Sequence, residues 1–155
     1  MNKLFLHGLD SSGSGTKGTF FSHYAPDMER PDFDGTLEER MEQLRSIVSG
    51  RGDLIVVGSS FGGLMGACLA QEQPEMFRRL IMLAPALNFA DYRVPKKKLP
   101  METLLVIGRN DTVTPPDIVI PAARATFANL QVTIFDDDHL LHHIFRDLNW
   151  QYLLS

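Results

Sequence analysis

Ser60 stands at the centre of a G-x-S-x-G pattern, which the chain spells GSSFG over residues 58–62. An apolar run over residues 54–57 precedes the pattern, and a stretch of helical composition follows it from Gly63. A serine on a tight turn between a strand and a helix is typical of a nucleophile elbow, in which the hydroxyl projects above the sheet. The helix N-terminus offers free N–H groups to a negative oxygen that forms beside the serine. The pattern therefore predicts that Ser60 is a nucleophile.

Asp111 and His139 are the partners that such a serine needs. Each of them follows a short apolar run that predicts a strand. Because ligands bind beyond the carboxyl ends of the strands in an open α/β sheet, we expect all three side chains to meet there. His139 would act as the base that takes the serine proton, and Asp111 would orient its imidazole. Two alternatives stay open: Asp111 as the cap of a local turn, and His142 or His143 as the base.

Two backbone N–H groups are predicted to form an oxyanion hole. One belongs to Phe61, which directly follows the nucleophile, and the other belongs to Leu9, in the loop after the first strand. The same loop contains Ser11 and Ser12, which are candidates for contacts with substrate. His7, at the end of the first strand, either contacts substrate or makes structural hydrogen bonds to the backbone.

The elements that must position these residues are visible as short apolar runs alternating with stretches of helical spacing. This alternation predicts an α/β fold with a largely parallel sheet. Thr36 and Glu39 have the spacing of a capping box at a helix start, and Pro115 with Pro116 fits the first turn of another helix. The tail, residues 142–154, has the spacing of a final amphipathic helix.

Composition limits the class of protein. The 155 residues predict one domain spanning 1–155, and the net charge of −4 argues against a nucleic-acid partner. No apolar run approaches the roughly 20 residues that span a bilayer, so no membrane partner is expected. Cys68 is the single cysteine, which excludes an intrachain disulfide. Together with the lack of a signal-peptide pattern, this favours a cytoplasmic location.

Gly13, Gly15 and Gly18 match the G-x-G-x-x-G fingerprint of dinucleotide-binding proteins. In that fingerprint the first glycine closes the strand directly, whereas residues 7–12 intervene here. Residues 26–35, where the second strand of a dinucleotide fold would lie, predict a loop with at most a weak edge strand. Dinucleotide binding is therefore a less favoured alternative, and no cofactor is expected.

The sequence DDDH over residues 136–139, with His142 and His143 close behind, contains residue types that ligate metals. A solvated turn before a helix is the simpler interpretation of the three acids. Nothing else in the chain supports a metal site, so none is expected.

The segments around Ser60, Asp111 and His139, together with the loop after the first predicted strand, resemble those of small α/β-hydrolases and are similar to the compact bacterial esterases of the YqiA type. The resemblance implies hydrolysis of a small carboxylic ester or thioester through an acyl-serine intermediate, without a cofactor. The chain departs from the family at its front, because the family usually has two strands before the loop that begins at His7 and there is no room for them here. The expected form is therefore a compact three-layer sandwich with a reduced, mainly parallel sheet of five or six strands. The segment between the third and fourth predicted strands is also too short for a cap domain. The resemblance covers most of the chain, from the first predicted strand to the last predicted helix, and it depends on four segments: HGLDSS at 7–12, GSSFGG at 58–63, GRND at 108–111 and DH at 138–139.

The sequence leaves the acyl group and the oligomeric state open. The same parts serve thioesterases, peptidases and acyltransferases, and a non-catalytic protein that binds a small molecule on the same fold is the main alternative. A sheet edge exposed by the missing front strands would allow a homodimer.

Overall fold

A parallel sheet forms the centre of the protein. The structure is a computed structural model and describes residues 2–142 and 144–155. Within these residues the sheet has five strands, every neighbouring pair is parallel, and helices cover both faces. The predicted three-layer α/β fold is therefore confirmed. The strands are β1 (Asn2–Leu6), β2 (Leu54–Ser59), β3 (Phe77–Leu83), β4 (Glu102–Gly108) and β5 (Leu130–Phe135).

The strands lie in the sheet in chain order. Each connection therefore moves one strand in the same direction, and right-handed crossovers place the connecting helices on one face. These helices are α2 (Leu37–Val48), α3 (Phe61–Glu72) and α4 (Pro116–Thr126). The opposite face is covered by α1 (Thr16–Tyr24) and the four-residue α5 (Trp150–Leu153).

Both faces of β2 are buried, which explains its continuous apolar sequence. Leu54 and Val56 pack on the side of α2 and α3, while Ile55 and Val57 pack on the side of α1 and α5. All four side chains are fully buried. The strand that leads into Ser60 is thus held from both sides, and this fixes the position of the turn that follows it.

Two helices begin at the predicted signals. Thr36 Oγ1 accepts from the Glu39 N–H, and Glu39 Oε1 accepts from the Thr36 N–H, so α2 begins with the predicted capping box. Pro115 precedes α4 and Pro116 is its first residue, where a missing N–H removes no intrahelical bond.

The outer edge of β1 is partly covered. Glu29 forms an isolated parallel bridge with Leu4. The Phe5 N–H donates to Glu29 O, and the Glu29 N–H donates to Lys3 O, both at 2.9 Å. The weak edge strand predicted within residues 26–35 is therefore a single bridge. The exposed edge available for a homodimer is correspondingly shorter than the sequence suggests.

The prediction of an amphipathic helix over residues 142–154 is wrong. The chain instead forms a 3-10 helix at Phe145–Asp147 and then α5. Tertiary contacts override the helical spacing, because Phe145 and Trp150 are both buried and the Trp150 Nε1–H donates to Phe145 O at 2.9 Å. Asn149 then caps a new helix start with its side chain.

The described residues contain neither a cap domain nor a membrane-crossing helix. Between β3 and β4, residues 84–101 form no helix. Leu99 of this segment forms an isolated parallel β-bridge with Phe127. No helix described is long and apolar enough to cross a bilayer. No separate domain within the described residues therefore covers the carboxyl ends of β2, β4 and β5.

Candidate active site

Ser60 occupies a strained turn between β2 and α3. Its backbone has φ 55° and ψ −113°, a region that residues other than glycine rarely adopt. Neighbouring backbone groups hold it there: its N–H donates to Leu83 O, and its C=O accepts from the Ala86 N–H, both at 2.9 Å. The predicted sharp turn is present, with the serine at its apex.

Two glycines make this turn possible, since a side chain at either position would collide with backbone. A Cβ at Gly58 would overlap the carbonyl oxygen of Gly62, and a Cβ at Gly62 would overlap the carbonyl oxygen of Leu6. The first turn of α3 therefore passes so close to β1 and β2 that no larger residue fits.

The structure brings the three predicted side chains together. Ser60 Oγ lies 3.0 Å from His139 Nε2, and His139 Nδ1 lies 2.8 Å from Asp111 Oδ2. Both are hydrogen-bond distances. When Nδ1–H donates to the carboxylate, Nε2 is left as an acceptor for the serine hydroxyl. An imidazole in this arrangement can take the serine proton.

Asp111 is held mainly by donors from its own turn. Its side chain is fully buried, and Oδ1 accepts from the N–H groups of Val113 and Thr114 at 2.9 and 2.7 Å. Oδ2 accepts from Thr114 Oγ1 at 2.6 Å and from His139 Nδ1. These donors offset the cost of burying the carboxylate and fix its plane. Turn capping and contact with His139 are therefore properties of the same carboxylate.

Thr114 is a residue that the sequence reasoning missed. Its hydroxyl donates to Asp111 Oδ2 and lies 3.2 Å from His139 Nδ1, and the residue is 1% exposed. A signal was present, because aspartate followed three residues later by threonine is the spacing of a turn closed by side chains. The contact of the hydroxyl with the carboxylate depends on its rotamer, which the spacing does not determine.

The loop after β5 carries His139 and is tied to the loop after β4. A Cβ at Gly108 would overlap the carbonyl oxygen of Asp137, so the two loops touch at their backbones. The Asn110 N–H donates to the same carbonyl at 3.1 Å. These backbone contacts between the two loops therefore hold Asp111 and His139 in a fixed position relative to each other.

Lys17 of α1 also fastens the loop after β5. Its Nζ donates to Leu140 O at 2.9 Å and lies 5.4 Å from the centre of the Phe145 ring. Burial lowers the pKa of Lys17 below its usual value, while the charges of Asp138 and Asp137 act in the opposite direction. The ammonium thus has acidic neighbours on the loop that it holds.

Leu9 and Phe61, the predicted donors of the oxyanion hole, both line the cavity in front of Ser60. Phe61 begins α3, where the first N–H groups have no partner within the helix. Leu9 lies on the loop after β1 and is 51% exposed. Within the described part of the chain, neither N–H donates to another protein group. The oxyanion hole formed by these two groups stays a prediction.

His7 makes structural hydrogen bonds. Its ring is buried, Nε2 accepts from the Phe33 N–H at 2.8 Å, and Nδ1 donates to Gly8 O at 2.6 Å. These partners place the single ring proton on Nδ1. Since His7 is not among the described residues that line the cavity, the geometry supports its structural role.

A cavity of about 690 Å³ opens in front of Ser60 and His139. Ser11 lines it, whereas the other predicted serine of that loop, Ser12, does not. Its lining is partly polar and partly apolar, so it suits a ligand with both kinds of group. Beside it, large apolar side chains remain exposed to solvent: Leu9, Phe89, Val113 and Leu140.

The glycine pattern at residues 13–18 has a packing explanation. A Cβ at Gly13 would overlap the carbonyl oxygen of Arg30, and a Cβ at Gly18 would overlap that of Gly13. The Gly13 N–H donates to Asp32 Oδ1 at 2.7 Å. A backbone donor that a pyrophosphate would need is therefore engaged by a carboxylate.

The acidic run before His139 does not form a metal cluster. In the ranges 2–142 and 144–155, no three His, Cys, Asp or Glu side chains are arranged to hold a metal ion. The Asp138 carboxylate instead accepts from a backbone N–H two residues later. His142 lies exposed in a turn rather than in the predicted helix, and His143 lies outside the described residues.

Comparison with solved structures finds the same fold in hydrolases. A protein of the alpha/beta superfamily from Xanthomonas campestris pv. campestris is similar at a TM-score of 0.78 and 22% identity, over 99% of this chain and 96% of that chain. Alpha/beta hydrolase domain-containing protein 10 from mouse is similar at 0.74 and 18% identity, over 99% and 90%. The monoacylglycerol lipase of Paleococcus ferrophilus is similar at 0.73 and 15% identity, over 99% and 93%.

No protein-family model matches the chain, and no curated protein sequence matches it. Likeness at these identities establishes the fold and leaves the substrate undetermined. The predicted resemblance is therefore confirmed for the fold alone, whereas a closer relation to esterases of the YqiA type stays a prediction. The protein has the α/β-hydrolase fold, in a compact form with five parallel strands.

Proposed function

We propose that the protein is a serine hydrolase that cleaves small carboxylic esters or thioesters. One observation carries the proposal: Ser60, His139 and Asp111 form a continuous hydrogen-bonded chain beside an open cavity. The strained backbone of Ser60 adds support, because such strain persists where the surrounding structure enforces it, often at functional sites.

The reaction begins when Ser60 Oγ attacks the acyl carbonyl and His139 Nε2 takes the hydroxyl proton. Asp111 keeps the imidazole in the required tautomer and stabilises the imidazolium. The imidazolium then gives its proton to the leaving alcohol or thiol as the bond from the acyl carbon to that group breaks. Water then attacks the acyl carbon while His139 Nε2 takes its proton, and the imidazolium returns that proton to Ser60 Oγ as the bond from the acyl carbon to Oγ breaks. The acyl group leaves as a carboxylic acid.

The N–H groups of Leu9 and Phe61 are the proposed donors to the negative oxygen of the tetrahedral intermediate. They act on charge that develops during the reaction, so they favour the transition state over the bound ester. Losing one such donor lowers kcat by roughly 10²- to 10³-fold in enzymes where it has been removed. The positive end of the α3 dipole acts in the same direction.

The cavity favours a small acyl ester over a long lipid. It measures about 690 Å³, and no cap domain extends it in the part of the chain that the structure describes. Exposed apolar side chains at Leu9, Phe89 and Val113 favour an apolar acyl group. A structural neighbour that is a monoacylglycerol lipase supports ester chemistry on this fold. Highest activity on long-chain triglycerides would contradict this choice of substrate.

Turnover of p-nitrophenyl esters and acyl thioesters of increasing chain length tests the proposal. Ser60→Ala should lower kcat by at least about 10³-fold while the protein stays folded. Ser59→Ala is the matched control, since it removes the neighbouring hydroxyl of the same cavity and should keep most of the turnover. Wild-type turnover in Ser60→Ala would refute the proposed nucleophile. A folded wild type without any turnover would favour the non-catalytic binding protein.

A further inference from the structure

Arg40 of α2 is a buried cation that has no ionic partner among the described residues. The residue is 4% exposed, and no described carboxylate forms an ion pair with it. Its Nε donates to Gly35 O at 2.9 Å and its Nη2 donates to Leu9 O at 3.3 Å. Its Nη1 is buried and has no acceptor among the described groups. Arginine is rarely buried without a paired charge, because desolvating the charge is costly.

The guanidinium of Arg40 contacts both residues of the proposed oxyanion hole. Besides its bond to Leu9 O, its Cζ lies 5.3 Å from the centre of the Phe61 ring. A planar guanidinium can donate hydrogen bonds at its edge and stack with its face, so one group serves both contacts. Arg40 is not among the residues that line the cavity, and it therefore acts from behind these two residues.

The loop that presents the Leu9 N–H is held at two successive carbonyls. His7 donates to Gly8 O, which belongs to the same peptide group as the Leu9 N–H. Arg40 donates to Leu9 O, which belongs to the next peptide group. The Ser11 N–H also donates to Gly8 O, at 3.3 Å, so Arg40 is the donor that restrains the second of these two peptide groups.

We propose that Arg40 is a positioning residue for the oxyanion hole, which it fixes through Leu9 and Phe61 while placing an unpaired positive charge behind them. This inference rests on the proposed hydrolase function. A buried charge acts through a low effective dielectric. It stabilises a full negative charge on the tetrahedral intermediate more than the dipole of a bound carbonyl. The consequence is a higher kcat with little change in KM.

Arg40→Met, Arg40→Lys and the control Arg45→Met test this role with p-nitrophenyl esters. Arg40→Met should lower kcat by about 10- to 100-fold and change KM by less than about threefold. Arg40→Lys keeps the charge without the planar fork and should recover part of that loss. Arg45 lies on the exposed side of the same helix and pairs with Glu72, so Arg45→Met should leave kcat unchanged.

Thermal unfolding distinguishes positioning from a purely structural role. The carbonyls that Arg40 would release belong to Gly35 and Leu9, two residues that are exposed overall. Removing the guanidinium also removes the cost of keeping its charge and its unpartnered Nη1 buried, which offsets part of the loss of its two hydrogen bonds. Arg40→Met should therefore keep a Tm within about 4 °C of wild type, roughly 1 kcal/mol for a chain of this size.

A trifluoromethyl ketone forms a negatively charged tetrahedral adduct with a serine. The affinity of these variants for such a ketone should therefore weaken in parallel with their kcat/KM. Folded Arg40→Met with a kcat within about twofold of wild type overturns the proposal, and so does a rise in KM that accounts for the whole loss. If Arg40→Met does not fold, Arg40→Gln is compared with Arg40→Lys, and an equal kcat in the two overturns it.

Failure of the hydrolase proposal is read from a different variant. If Ser60→Ala retains wild-type turnover, the proposed mechanism fails and the Arg40 inference fails with it. If Ser60→Ala is inactive and Arg40→Met is as active as wild type, the hydrolase proposal stands and only the positioning role is refuted.

Discussion

Replacing Thr114 with valine removes one hydroxyl from the buried end of the hydrogen-bonded chain and keeps the shape of the side chain. The hydroxyl donates to Asp111 Oδ2 at 2.6 Å, and its residue is 1% exposed, so water does not readily replace it. Two N–H donors still hold Oδ1, and His139 still faces Oδ2. The variant should therefore fold, with a carboxylate that is less well satisfied and less firmly oriented.

The magnitude follows from the charge on the acceptor. A hydrogen bond to a charged group contributes about 1.5–3 kcal/mol to stability, against about 1 kcal/mol for a neutral pair. Thr114→Val should therefore lower the free energy of unfolding by about 2 kcal/mol, which corresponds to a fall in Tm of about 4–8 °C. Because the carboxylate also orients His139, kcat for a p-nitrophenyl ester should fall by about tenfold, which corresponds to about 1.4 kcal/mol.

Thr114→Ser is the matched control, since it keeps the hydroxyl and loses only a methyl group. Its cost should be about 1 kcal/mol, from the buried methyl alone. Chemical or thermal denaturation gives the stabilities of both variants, and initial rates give their kcat values. If Thr114→Val is as stable and as active as Thr114→Ser, the hydroxyl does not support Asp111 and the reasoning is refuted.

Three further predictions concern the turn, the lone cysteine and an ion pair. Gly62→Ala should lower the free energy of unfolding by about 3 kcal/mol or more, because its Cβ would overlap backbone atoms. Gly52→Ala is the control for the same denaturation experiment and should be nearly neutral, since its Cβ would meet no atom within 4 Å. Burial raises the pKa of the Cys68 thiol to about 11, from an ordinary value of 9.0. Iodoacetamide at pH 8 should therefore alkylate the native protein about 100-fold more slowly than the denatured protein, because it reacts with the thiolate. Equal alkylation rates in the two states would contradict this prediction. Hydrogen bonds from Arg79 and Tyr152 lower the pKa of Glu102, so its contribution to stability is present above pH 4.5 and is lost as the pH falls through the lowered pKa. Glu102→Gln should then be less stable than wild type by at most about 1 kcal/mol at pH 7, since the carboxylate is 41% exposed, and the gap should close in acid; a gap that widens below pH 4 would contradict the assignment.

The parts of the site that depend on local chemistry could be predicted from the sequence. The turn at Ser60 needs small residues where the chain approaches itself, and the GSSFG pattern supplies them at Gly58 and Gly62. The capping box of Thr36 and Glu39 satisfies backbone groups only three residues apart. In a parallel sheet the strand ends share one edge, and for this reason residues far apart in the chain could be expected to meet.

The parts that depend on distant contacts could not be predicted in the same way. The spacing of residues 142–154 fits a helix, but the burial of Phe145 and Trp150 against the sheet breaks that helix. The spacing of α2 places Arg40 on the same face as Leu44 and Val48, but it does not show that the guanidinium contacts the loop after β1 and Phe61. Such positions become visible only when the packing of separate elements is known.

The most direct test of the proposed mechanism is covalent labelling with a fluorophosphonate, followed by peptide mapping. Ser60 Oγ would attack phosphorus, fluoride would leave, and His139 would take the hydroxyl proton. The hydrolase account predicts a single adduct on the peptide that contains Ser60, its persistence in Ser59→Ala and its absence in Ser60→Ala. A folded wild type that is not labelled, or an adduct that forms equally fast on Ser60→Ala, would contradict the central claim.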